Sequence, residues 1–133
     1  MRYRSGWLSL LLLFSPTLLA GSVEIVFTEL RQVGDEWQPT VTLRHADTGW
    51  DHYADAWRVV TRDGTVLSHR TLYHPHVEEQ PFTRSGPGFA LPEGATKQVI
   101  VEAHDTVHGW SAKRLEIDMT QATGPRWKTR DAR

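Results

Sequence analysis

Of the seven histidines in this 133-residue chain, six (His45, His52, His74, His76, His104 and His108) stand in or beside three segments that also carry carboxylate residues. Neutral imidazole is the commonest protein ligand for zinc and a good one for copper(II) and nickel, and three or four convergent nitrogens or carboxylates complete a site. His74 and His76 lie two apart, which on an extended chain turns both rings to one side at two rises of about 3.3 Å. Pro75 between them fixes its own φ and biases His74 to extended backbone, without making the rings converge. His104 and His108 flank a short reversal. Asp51 and Asp105 adjoin His52 and His104 in the chain, where a carboxylate serves as a ligand or as the acceptor that fixes a histidine tautomer. The candidate metal ligands are therefore His52, His74, His76, His104, His108, Asp51 and Asp105, and the candidate ions Zn²⁺ and Cu(II). No HExxH, paired cysteines or dense histidine tract is present, so no single local motif demands a metal.

The elements that must position these residues are strands. From residue 23 onward the chain breaks into segments of period-two hydrophobicity separated by turn residues, and no stretch sustains a 3.6-residue period over three turns. Seven segments result, at 23–30, 37–45, 55–61, 65–73, 82–91, 96–104 and 112–119. Val23, Ile25 and Phe27 are expected on one face of the first. Arg62-Asp63-Gly64-Thr65 reads as a hairpin turn with glycine free to take positive φ, and Pro92-Glu93-Gly94 as a second turn. Seven short strands at this spacing predict an all-β fold, a seven-stranded antiparallel β-sandwich of the immunoglobulin or fibronectin III type. Trp57 on the third segment resembles the core tryptophan of that superfamily. The chain departs from it in having no inter-sheet cysteine pair and no tyrosine on the sixth segment.

Antiparallel succession has a consequence for the histidines. Connections alternate between the two ends of such a sandwich, so parity assigns each loop to an end. The loop at 46–54, the His74-Pro75-His76 segment and the stretch from His104 to His108 all fall at one end, and the opposite turns carry no histidine. Loops can vary there without disturbing the core, which is why such ends host recognition sites. Two other readings compete. A network such as Asp51, His52, His74 and Asp105 can simply lock long loops by hydrogen bonds, and clustered imidazoles can sense protons near a pKa of roughly 6.5.

Bulk properties narrow the class. Arg2 and Arg4 precede an apolar run, and small residues at Ala20 and Ser22 suit a signal peptidase, so residues 1–22 read as a secretory signal peptide. The competing membrane anchor is interrupted at Pro16 and is short against the roughly 20 apolar residues that span a bilayer. Residues 23–119 form one β-sandwich domain, large enough for its own core. Residues 120–133, with Arg126, Lys128, Arg130 and Arg133, read as a flexible basic C-terminal tail. The chain has no cysteine, so packing rather than disulfides must stabilise it. Trp37, Trp50, Trp57 and Trp110 are the expected core aromatics. Without Arg2 and Arg4, 13 basic side chains face 16 acidic ones, which gives a nucleic-acid role no electrostatic footprint.

The stretches WDHYAD at 50–55, HPHVEEQPFTRS at 74–85 and AHDTVHG at 103–109 resemble short exported bacterial proteins of unassigned function. That resemblance implies no activity or site. The expectation is a periplasmic or secreted immunoglobulin-like module without catalytic residues, whose loop histidines bind a divalent transition metal or small ligand. The alternative is a metal-independent module that docks another exported protein. Neither implies a stable membrane span after processing.

Overall fold

A computed structural model describes residues 21–131, which leaves the expected signal peptide outside the described residues apart from Gly21 and Ser22. Among the described residues the fold is all-β, with ten strands and no helix. They are β1 (Glu24–Val33), β2 (Glu36–Arg44), β3 (Ala54–Thr61), β4 (Val66–Thr71), β5 (Phe82–Ser85), β6 (Gln98–Asp105), β7 (Gly109–Trp110), β8 (Leu115–Asp118), β9 (Thr123–Gly124) and β10 (Trp127–Arg130). One sheet runs β5-β2-β1-β10-β9; the other runs β4-β3-β6-β7, with β8 also pairing β6. Two sheets of five strands enclose one apolar core, the layering of a sandwich.

Alternation builds that core. Val99, Val101 and Ala103 of β6 and Leu115 and Ile117 of β8 face inward against Val41 and Leu43 of β2, with Trp57 fully buried among them. The backbone of Gly86 lies flat on the Trp57 indole, where a Cβ would collide with the ring. In β1 a bulge between Ile25 and Phe27 resets the alternation, because one extra residue turns every later side chain over. Ile25, Thr28 and Leu30 are therefore the buried set and Phe27 is only half-buried, contrary to the uniform face expected for Val23, Ile25 and Phe27.

Further expectations are corrected. The count is ten rather than seven, because the reversal after β6 adds β7 and the segment expected to be a frayed tail supplies β9 and β10. Trp127, 5% exposed, anchors that segment in the core, and β10 runs parallel to β1 with Thr28 opposite Trp127 and Arg31 opposite Arg130. The first sheet is thus mixed rather than antiparallel. The fifth strand stops at Ser85, and only Phe89 beyond it bridges back to Trp37. Trp50, finally, is 68% exposed and belongs to no core.

Candidate metal centre

Strand ends deliver the site. β2 ends at Arg44, so His45 and Asp47 enter the β2–β3 loop two residues apart, where the Asp47 amide donates to the His45 carbonyl at 2.8 Å and closes a tight turn. Both side chains are buried, and His45 Nδ1 donates to Asp47 Oδ1 at 2.5 Å. Asp47 is fully engaged: the Ala54 amide donates to Oδ1 at 3.0 Å and the His76 amide to Oδ2 at 2.8 Å. Gln80 adds a second tie, its Oε1 accepting from the His45 amide and its Nε2 donating to the His76 carbonyl. One carboxylate and one carboxamide therefore hold three segments in register.

The β2–β3 loop then reverses at Gly49, whose φ of 145° lies outside the range that suits side chains, and returns His52 toward the end of β6. There His52 Nε2 donates to Asp105 Oδ1 at 3.0 Å. Asp105 is fully buried and also accepts the Val107 and His108 amides at 2.9 and 2.8 Å, which folds the chain after β6 into a tight turn. His108 Nδ1 lies 3.1 Å from the same carboxylate. The rings of His45 and His52 meet edge to face at 4.7 Å, and those of His52 and His108 at 5.0 Å.

His45, His52 and Asp105 each offer a ligand atom, and these atoms lie within 4.8 Å of one another. Two donors on one tetrahedral ion with bonds of roughly 2.0 to 2.1 Å stand about 3.3 Å apart. Closing the triad takes no more than roughly 1.5 Å of movement by that measure. The clearest indication of a ligand is at His45. Its Nδ1 is committed to Asp47, and its buried Nε2 meets no hydrogen-bond partner among the described residues. A buried nitrogen left without a partner is costly, whereas a carboxylate on the far nitrogen is how metal-binding imidazoles are oriented.

Electrostatics sharpen this. Burial pushes the His45 pKa down, but the bond to Asp47, the charges of Asp47 and Asp105 and the Gly21 backbone outweigh it, and the net shift is upward from 6.5. The Gly21 backbone acts as an acceptor beside the His45 ring, although no hydrogen bond of ordinary geometry reaches Nε2. Burial likewise pushes both aspartates up, yet the His45 bond and the His76 and Ala54 amides hold Asp47 below its ordinary value, and the His108 and Val107 amides do the same for Asp105. The pocket favours positive charge, whether a proton on His45 or an ion that displaces it.

The other expected ligands sit elsewhere. His76 is buried, but its ring stacks on Phe82 at 4.1 Å and its Nε2 accepts from Arg84 at 3.0 Å; only its amide reaches the site, through Asp47. Burial, and after it the Arg84 guanidinium, push its pKa down. His74 is exposed beside it, its Nδ1 directed to the Pro75 carbonyl. His104 precedes Asp105 on β6 and so points to the opposite face, where Nδ1 donates to Asp55 at 2.5 Å and the ring meets Trp110 edge-on. Asp51 is exposed, and only its carbonyl is used, by Thr106. Of the seven expected ligands, His52, His108 and Asp105 come together, whereas His74, His76, His104 and Asp51 do not join them. His45 and Asp47 lie outside those seven, and the signal for both is the His-x-Asp spacing at a strand end.

A protein of Halomicrobium mukohataei named "Putative lipoprotein" is 44% identical to this chain over 79 residues, which are 59% of this chain and 38% of the relative. This chain thus spans well under half of that relative's length. No family model matches the chain, and no solved structure matches it. Among the described residues no helix is long and apolar enough to cross a membrane.

Proposed function

We propose that the protein is an exported, immunoglobulin-like binding module that holds a divalent transition metal, Zn²⁺ or Cu(II), on His45, His52 and Asp105. The observation that carries this reading is the unpartnered Nε2 of His45, buried and backed by Asp47, beside a second imidazole and a buried carboxylate. Two nitrogens and one oxygen without sulfur suit zinc and copper(II) and disfavour copper(I). Three protein ligands leave a fourth position for water or a small ligand. Export is supported by the leader-like first 22 residues and by the name of the Halomicrobium relative.

Calorimetric titration of Zn²⁺ and Cu²⁺ into metal-free protein tests the reading. Wild type binds one equivalent and His45→Ala loses it; equal weak binding by both defeats the assignment.

A second reading has its own observation. Trp50, Tyr73, Val77 and Val107 are the exposed large hydrophobic residues of these same loops, and exposed apolar groups at a loop end suit docking to another exported protein. Capture from an exported-protein extract that is indifferent to chelator supports this reading, and capture that chelator abolishes opposes it.

A further inference from the structure

Resting on the metal assignment above, we infer that His108 is a capture ligand: it takes the ion from solvent and passes it by way of His52 to His45, without remaining in the final coordination shell. The three rings form a graded series. The side chain of His108 is 43% exposed, that of His52 15% and that of His45 1%. Successive ring centroids are 5.0 and 4.7 Å apart. Rings at that spacing can bring nitrogens to the 3 to 4 Å or so at which two donors share one ion, so the ion meets a new nitrogen before it leaves the old one.

Asp105 supports each stage of the passage. Its carboxylate lies against His52 Nε2 at 3.0 Å and against His108 Nδ1 at 3.1 and 3.2 Å from its two oxygens. Acceptance from His108 Nδ1 fixes the tautomer whose Nε2 carries the lone pair, the form that can take a cation. His108 is set apart from the other two by its mounting as well. It sits in the turn before Gly109, which has a φ of 76°, and Asp105 Oδ1 holds the Val107 and His108 amides. That mounting leaves His108 the most exposed of the three rings. The triad whose ligand atoms lie within 4.8 Å of one another omits His108.

A residue that only bridges the ion on its way in lowers the barrier for binding and release alike and leaves the equilibrium unchanged. Stopped-flow quenching of tryptophan fluorescence by Cu²⁺ on the full chain reads both rates, with His45→Ala as the baseline for adventitious copper. His108→Gln keeps a donor for Asp105 while removing the imidazole; His108→Ala removes both. The expected result is that uptake and release each slow by about tenfold in both variants while Kd stays within roughly threefold of wild type. Faster release at unchanged uptake makes His108 a permanent ligand and overturns the inference, as does no change in either rate, and both results leave the metal site standing. Wild type that quenches no more than His45→Ala sinks the metal assignment and the capture role together.

Discussion

His45 and His76 are both buried, both hydrogen-bonded to Asp47, and both left with one ring nitrogen that meets no partner among the described residues. Their surroundings differ in sign. Asp47 takes the ring of His45, whereas it takes only the amide of His76, whose ring faces Arg84 instead. Burial lowers the pKa of both rings; at His45 the anionic neighbours outweigh it and the net shift is upward, whereas at His76 Arg84 adds to it and the net shift is downward. Arg84 donating into Nε2 also forces the proton of His76 onto Nδ1, so its unpartnered atom is a donor, useless to a metal. The unpartnered atom of His45 in its neutral form is a lone pair. A histidine buried at the right end of the fold is thus not yet a ligand; the partner of its far nitrogen decides.

That contrast can be broken most severely at its hinge. Asp47→Ala strips the acceptor from one ring and two amides, and because it orphans buried donors the expected loss of stability is about 3 to 5 kcal/mol, read from urea unfolding. A loss under about 1 kcal/mol is the size of one ordinary hydrogen bond and makes Asp47 peripheral. Next in size, His45→Ala is expected to weaken Zn²⁺ binding by at least 100-fold or so, while His76→Ala changes it by less than about threefold; calorimetry that ranks them the other way reverses the comparison. Asp47→Asn, which keeps the shape and removes the charge, is expected to cost about 10- to 100-fold in affinity.

Titration gives a subtler test. The contribution of charged His45 is present below 6.5 and is lost as pH rises through its higher folded-state value; that of neutral His76 is present above 6.5 and is lost as pH falls through its lower one. Ring-proton NMR of the metal-free protein is expected to show the two midpoints on opposite sides of 6.5, and midpoints on the same side remove the distinction. Asp47 and Asp105 are held below 3.8, so their contribution persists above that value and disappears as pH falls through the lower folded-state values. Smallest of all, His104→Ala leaves metal affinity unchanged within about twofold, because its ring lies across the sheet; a larger change places it in the site after all.

How far the sequence could be read follows from the same geometry. Parity of antiparallel strands is a one-dimensional rule, and it brought the loops after β2, β4 and β6 to one end. It says nothing of which face a side chain takes. Alternation did hold that information: with Val99 and Val101 inward, Asp105 had to follow them and His104 had to point away. Bulges conceal such phase, as the one between Ile25 and Phe27 shows, because an extra residue leaves no mark in a short apolar run. The last strands were hidden for a different reason. Trp127 and Thr129 alternate over too few residues to stand out among Arg126, Lys128 and Arg130, and parallel pairing with β1 is a contact across the whole chain that no local pattern carries. His45 and Asp47 were screened by position, at a strand end where histidine reads as edge.

The central claim is that His45 Nε2 is a metal ligand. Crystals grown with one equivalent of Zn²⁺ and measured on either side of the zinc absorption edge test it most directly. One anomalous peak is expected about 2.0 to 2.1 Å from His45 Nε2 and within bonding reach of His52 and Asp105. A peak on His74 or His104 alone, or none near His45, contradicts it.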